Sequence, residues 1–458
     1  MRAFRAKSSR PLRALHRLAA GAGLVLAFGA LGAGLGCGAF DLSTSERVND
    51  RVNPEVPLWN ARPSGALEVA FKRELTVKGR TTGEEWEHGR GEIDAANARM
   101  FMGSADHGLY ALRATDGSTI WRFETLGAVQ SEPYYDRELD IVYFGAHDGA
   151  LYAVRAFDGS LVFRFDTGAE VTRKPVRDGE TIFVGNAADY LYALDRRTGK
   201  RKWSTHRNSA LGMEVSGYSG PAYDNGLVYM GFSDGHVSAF DAKDGTERWS
   251  PVDLLADAEQ PGGEAAKYLD VDTTPIVDRT AGSGGAVYVA AYATGVYALD
   301  ARSGSRLWWN DKVTGVTDIM MYSEPAHVDR PGEPPVPARK ILIASSGATG
   351  LWALDLHNQG KVLWRNRIPE GGITSPVPCG GAIAIGTSRY GLFLLSPRNG
   401  KVIDGIDLGT GFTQTPAVFG GRLFALTNAG TLLGLRVEHP KPPPEQSPYP
   451  PFGVAAVP

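Results

Sequence analysis

Gly149-Ala-Leu-Tyr-Ala-Val-Arg-Ala-Phe-Asp-Gly159 is followed by Tyr190-Leu-Tyr-Ala-Leu-Asp-Arg-Arg-Thr-Gly199-Lys-Arg-Lys-Trp203, the same unit met twice. Each reads as a strand with an aromatic centre, a tight glycine turn, and a second strand carrying an aromatic four residues after the glycine. Indexed on the central slot, the unit recurs at Tyr110, Tyr152, Tyr192, Ser238, Tyr297, Trp352, Phe393 and Leu433, with spacings of 42, 40, 46, 59, 55, 41 and 40 residues. The turn glycines are Gly117, Gly159, Gly199, Gly245, Gly304, Gly360 and Gly400. Four residues after them stand Trp121, Phe163, Trp203, Trp249, Trp308, Trp364 and, in the seventh repeat, Asp404. Units of this length with four strand signals each cannot bury a face alone and close into a ring. The expected fold is all-β, an eight-bladed propeller of four-stranded antiparallel blades.

Working outward, a proline opens the innermost strand of most units, at Pro133, Pro175, Pro221, Pro275, Pro325, Pro376 and Pro416. A missing N–H is tolerable at a strand's first residue. The last unit stops at Val437, before its fourth strand, while Ala66-Leu-Glu-Val-Ala-Phe71-Lys-Arg-Glu-Leu75 has no unit in front of it. Phe71-Lys-Arg-Glu-Leu75 matches Trp364-Arg-Asn-Arg-Ile368, the end of a repeat, so the N-terminal strand is expected to complete the last blade. That closure removes an unpaired edge. Recurrence of Phe71, Trp121, Phe163, Trp203, Trp249, Trp308 and Trp364 at one register points to packing between blades, not to ligand stacking. Asp404 makes the seventh junction the expected weak one.

The propeller is expected over 64–439. The segments around it differ in kind. Arg2, Arg5, Lys7, Arg10, Arg13 and Arg17 precede an uncharged apolar run from Leu18 to Gly36, which reads as an export signal over 1–36. The run ends Gly34-Leu35-Gly36-Cys37-Gly38, which resembles the lipobox of bacterial lipoproteins and implies lipidation of Cys37; the alternative is an uncleaved membrane anchor. Residues 37–63 read as the lipid-anchored tether, and the proline-rich 440–458 as a disordered tail. Cleavage before Cys37 would move the formal charge from -3 to -9, a surface that nucleic acid would repel. With only Cys37 and Cys379 there is no disulfide framework or thiolate metal site, and Cys379 reads as a half-buried small residue.

Function in repeat proteins sits where the units differ. From the outer aromatic slot to the next opening proline the gap is 12 residues in four units, but 18 from Trp203 to Pro221, 26 from Trp249 to Pro275 and 17 from Trp308 to Pro325. These three connections emerge on one face and predict a raised docking arc. Leu211, Met213, Val215 and Tyr218 lie in the first, and Ile319, Met320, Met321 and Tyr322 in the third. Such apolar loops suggest a covered surface. No nucleophile triad, phosphate loop or histidine ligand cluster is legible, and Asp270-Val-Asp272 lacks a calcium-loop frame. No enzyme activity, cofactor or metal is expected.

The hairpin Tyr192-Ala-Leu-Asp195, Thr198-Gly199, Trp203 resembles that of pyrroloquinoline-quinone-type propellers, which include quinoprotein alcohol dehydrogenases and the BamB family of outer-membrane assembly lipoproteins. The resemblance covers about 64–437. Asp270-Val-Asp-Thr-Thr-Pro275, followed by Val287-Tyr-Val-Ala-Ala-Tyr292, is similar to the BamB segment whose acids help bind the periplasmic repeats of the barrel-inserting subunit. It implies Asp270, Asp272, Thr273 and Thr274 as partner-binding residues, with Met213 and Val215 matching an apolar pair from a preceding loop. Ser216 stands where that family has arginine. The implied function is a non-catalytic periplasmic scaffold on the outer membrane. A scaffold of another complex, or a quinoprotein oxidoreductase, are the alternatives; the latter enzymes carry vicinal cysteines, and this chain has none.

Overall fold

The computed structural model describes residues 64–75, 87–208, 219–256, 270–328, 334–367, 372–389 and 391–438. They form eight four-stranded antiparallel sheets. Blades 1 to 7 span 92–124, 134–166, 176–206, 222–253, 276–310, 316–366 and 377–406, each running inner to outer in chain order. Blade 8 takes three strands from 417–437, and its outer strand is Leu67–Glu74, antiparallel to Thr431–Val437. The N-terminal closure expected from the missing fourth strand is therefore present. Its pairing slips between Val69 and Phe71, which brings Phe71 opposite Gly434.

Strand alternation decides which blade each side chain meets. In blade 1, Phe101, Leu109 and Ala111 pack with Val142, Phe144 and Tyr152 of blade 2. The intervening Met100, Met102 and Leu112 face Phe424, Leu426 and Leu432 of blade 8. Both faces of every sheet are thus buried, which is why the second and third strands read as apolar runs.

The outer aromatics wedge between blades as their register implied. A Cβ added at Gly117, Gly159, Gly199, Gly245, Gly304, Gly360 or Gly400 would lie 2.4 to 2.8 Å from Phe71, Trp121, Phe163, Trp203, Trp249, Trp308 or Trp364 of the preceding blade. Each ring therefore lies flat on the next blade's turn, where only glycine leaves room. Trp121, Trp203 and Trp364 also donate Nε1–H to carbonyls of Ala156, Ala242 and Pro397 in that turn, at 3.0, 3.1 and 2.8 Å. Asp404 is buried and solves the seventh junction differently: its Oδ2 accepts the N–H of Leu67 at 2.9 Å, tying blade 7 to the closing strand.

Two local readings need correction. Pro325 does not open an inner strand. The inner strand of blade 6 is the longer Val316–Glu324, so the connection before it is short and Ile319, Met320 and Met321 are sheet residues packed into the cores on either side. The reason is the apolar run from Ile319 to Tyr322, which pairs with Ile341 to Ala344, the ladder continuing to Val316 past an irregularity at Thr317. Two long connections therefore remain on this face, not three. Cys379 is 2% exposed, more buried than its hairpin position implied.

A repeated feature went unread in the sequence. Asp136, Asp178, Asp224 and Asp278 end the inner strands three residues after the opening prolines, and Asp94 and Glu324 hold the same place in blades 1 and 6. Most reach a cation of the next blade: Asp136 meets Arg196 at 2.7 Å, Asp224 meets Arg279, Asp278 meets Lys340 at 2.6 Å, and Glu324 lies 3.9 Å from Arg398. Cys379 and Phe419 fill the slot in blades 7 and 8, so this ionic belt stops at the closing seam.

Candidate docking surface

The blade-to-blade connections converge on one end of the central channel. The two long ones run between blades 3 and 4 and between blades 4 and 5, and the described residues include their roots. Residues 209–218, with Met213 and Val215, and 257–269 lie outside the described residues, as does Cys37.

The root 270–274 is built into the ring. Val271 is 1% exposed, donates its N–H to Phe232 O at 3.1 Å, and fills the space a side chain at Gly231 would need. Thr273 is fully buried, its Oγ1 accepting the N–H of Ala290 at 2.8 Å. Ser219 Oγ donates to Thr273 O at 3.0 Å, and Gly220 N–H donates to Thr274 Oγ1 at 3.1 Å. The two long connections are thus stitched together where they enter the sheet.

The two acids differ in standing. Asp272 is half-buried at the channel rim, and its backbone carbonyl accepts Arg173 Nη2 at 3.0 Å. Asp270 is 3% exposed, with its carbonyl accepting the N–H of Tyr292 at 3.1 Å. Asp270 Oδ1 is buried and has no hydrogen-bond partner among the described residues. An unpaired buried carboxylate oxygen is costly. Thr274 is half-buried beside Gly220. This segment is part of the blade 4–5 junction.

At the root of the first connection, Arg207 donates to Asp234 Oδ2 through Nε at 2.9 Å and Nη2 at 2.7 Å, while His236 Nδ1 lies 3.2 Å from Asp234 Oδ1. Burial pushes the Asp234 carboxyl up, but His236 and Arg207 outweigh it and hold it at about 2. The same hydrogen bond raises the His236 imidazole above its ordinary value.

The channel mouth is a cavity of about 690 Å³ whose lining includes Glu132, Glu170, His147, Arg173, Asp318 and Ser375. Arg173 crosses it: Nη1 meets Asp318 Oδ2 at 3.0 Å, and Asp318 also accepts Ser375 Oγ from blade 7. This guanidinium is tied to protein groups across the channel mouth, and the sequence has no adjacent cysteines, so the residues present do not fit a quinone with its calcium. Among the described residues no three His, Cys, Asp or Glu side chains are grouped to hold a metal ion. Burial alone raises the Cys379 thiol to about 11, which leaves it a packing residue. No helix among the described residues is long and apolar enough to cross a membrane.

Fold and rim together define an eight-bladed propeller of the pyrroloquinoline-quinone repeat type, whose rim between blades 4 and 5 carries the hydrogen-bonded roots of two long connections. A sequence profile described as outer membrane protein assembly factor BamB matches residues 105–359, and the chain belongs to that family. Outer membrane protein assembly factor BamB of Yersinia pestis is 26% identical over 345 residues, covering 75% of this chain and 70% of that protein. The Legionella pneumophila protein of the same name is also 26% identical, over 231 residues, 50% of this chain and 53% of that one. A tetrathionate hydrolase of Acidithiobacillus ferrooxidans is 24% identical over 70% of this chain and 54% of its own length. Among solved structures, BamB from Moraxella catarrhalis superposes with a TM-score of 0.62 at 18% identity, covering 81% of this chain and 99% of that one. At that identity the superposition speaks for the fold.

Proposed function

We infer that this chain is a non-catalytic scaffold in outer-membrane protein assembly, working at the periplasmic face of the outer membrane. It docks on the barrel-inserting subunit of the assembly complex through the platform at the roots of its two long connections. The observation that carries the reading is the state of the Asp270-Val-Asp-Thr-Thr-Pro275 run. It is held at the rim by buried hydrogen bonds to Gly220, Ser219 and Ala290, as a surface ordered before any partner arrives. Such preorganisation lowers the entropic cost of docking. The half-buried Asp272 meets the partner, while Asp270, Thr273 and Thr274 shape the segment that presents it. Met213 and Val215 add apolar area from the first connection.

The tether 37–63 carries a lipid on Cys37 after removal of 1–36, so membrane attachment comes from acyl chains. The ring itself acts as a monomer and contacts no nucleic acid. The enzyme alternative is disfavoured because Arg173, the cation of the channel-mouth cavity, is committed to Asp318 and to the carbonyls of Asp272 and Thr317, and the sequence has no adjacent cysteines.

Co-purification of the barrel-inserting subunit from detergent-solubilised membranes tests this. Asp272→Lys is expected to lower recovery about tenfold or more, partly through like-charge repulsion. Met213→Asp with Val215→Asp is expected to act through lost apolar burial of about 1–3 kcal/mol. The exposed pair Lys243→Glu with Arg302→Glu, on turns at the opposite face, is the silent control. Unchanged recovery with both platform variants would refute docking by this surface.

A further inference from the structure

Neighbouring blades touch through their sheets, but blades two or three places apart can meet only at the axis. One side chain does this on a large scale. Arg173, in the connection entering blade 3, donates Nη2 to Asp272 O of the blade 5 root at 3.0 Å and to Thr317 O of blade 6 at 3.4 Å. Its Nη1 binds Asp318 Oδ2 of blade 6 at 3.0 Å and lies 4.0 Å from Glu132 Oε1 at the blade 2 entrance. Its aliphatic stem lies against Gly220 at the blade 4 root, where an added Cβ would come within 2.8 Å of Arg173 Cβ. Asp318 passes the link on to Ser375 of blade 7.

We propose that Arg173 is the positioning residue of the docking platform, a cross-channel strut that fixes both loop roots against blade 6 so that they present one rigid surface. A planar fork suits this task. Two nitrogens serve a carboxylate and two carbonyls on different blades at once, which the single ammonium of lysine cannot match. The stem meanwhile sets the height of residue 220, whose N–H holds Thr274. The charge pair sits in a half-buried channel mouth, where removing one partner leaves the other stranded. The consequence for partner binding rests on the docking reading above; the structural role does not.

The test is hydrogen exchange on the full chain, comparing wild type with Arg173→Met, which keeps an apolar stem on Gly220 and removes the fork. Amides of Gly220, Val271 and Tyr292, all donors within the platform, are expected to exchange on the order of tenfold faster. Amides of the strand Arg99–Ser104, on the far side of the ring, are expected to be unchanged and report that the ring is intact. Asp318→Asn, milder in shape, is the second variant and should loosen the same three amides, with Arg173→Lys intermediate. Unchanged exchange at the three platform amides in both Arg173→Met and Asp318→Asn would overturn the proposal. So would equal acceleration throughout the ring. If the platform loosens but partner recovery stays at wild-type level in these variants and in Asp272→Lys, the strut stands and the docking reading falls. If Asp272→Lys loses the partner while Arg173→Met neither loosens the platform nor weakens binding, the reverse holds.

Discussion

At the level of single residues, the blade junctions depend on glycines with nothing to spare. Gly304 has φ +73° and faces Trp249, with an added Cβ only 2.5 Å from the ring. Gly168 has a similar φ of +84° but nothing within 4 Å. Both alanine substitutions incur left-handed strain of roughly 1–2 kcal/mol. Only Gly304→Ala also displaces a buried indole, adding about 1–3 kcal/mol of overpacking. Urea unfolding of the two variants should therefore differ by that second amount, and equal midpoints would show that the ring does not rest on the turn. A second residue-level prediction concerns pH. The raised His236 stabilises the Arg207–Asp234 corner fully below its unfolded value of 6.5, and that contribution fades as pH rises through the higher folded value. The lowered Asp234 acts in the opposite sense and fails only as pH falls toward about 2. An NMR titration of His236 should give a value above 6.5, and Asp234→Asn should lower it. No change in the variant would remove the carboxylate as the cause.

At the scale of elements, the decisive one is the closing strand Leu67–Glu74. It pairs along Thr431–Val437 and places Phe71 on Gly434 and Gly117. Its start is held by Asp404, whose Oδ2 accepts the Leu67 N–H. The seventh junction, expected to be weak for want of an aromatic, instead exchanges a packing contact for a buried charge-assisted hydrogen bond. Asp404→Ala should cost about 1–3 kcal/mol, because it strands the Leu67 donor. The loss should appear as faster amide exchange confined to Leu67–Glu74 and its partner strand. Deleting 66–75 should lower the melting temperature of the whole ring, whereas removing 38–60 should leave it unchanged. Equal melting temperatures for the two deletions would contradict the role of this strand.

At the largest scale, the described residues form a ring closed in three tiers. Aromatic rings lie on glycine turns at the outside, acid–base pairs link inner-strand ends on one face, and the Arg173 strut crosses the axis on the other. Apart from the buried Asp136–Arg196 pair, the ion pairs are part-exposed, so they fix register more than they add stability. Both described ends of the chain meet at the seam where the ionic belt stops, with Glu438 N–H bonded to Ala66 O at 2.9 Å. The proposed tether would leave from that corner. If Cys37 carries the lipid, Cys37→Ser should abolish metabolic labelling by a fatty acid and release the protein from membranes. Each buried methylene of the acyl chains contributes about 0.8 kcal/mol, so losing them all leaves no comparable anchor. Persistent labelling in the variant would disprove the anchor.

What the sequence determined by itself is the ring: eight repeated hairpins, six of them aromatic-centred, the glycines that receive the outer rings, and an N-terminal strand with no blade of its own. These are local signals repeated in register, and repetition turns weak propensities into a firm pattern. What only the tertiary structure decided lies where distant segments meet. The ionic belt was written as an acid three residues after four of the opening prolines, yet its meaning required the neighbouring blade's cation to be seen beside it. Blade 6 was misread at Pro325 because a proline marks a strand end as readily as a strand start, and only pairing with Ile341 to Ser346 distinguishes the two. Asp270 and Asp272 were legible as a pair but not as one buried and one half-buried group, since alternation along a rim depends on which way the segment enters the sheet. Arg173 carried no motif at all. Its partners stand 99 and 145 residues away in sequence, and nothing but closure of the ring brings them onto one axis.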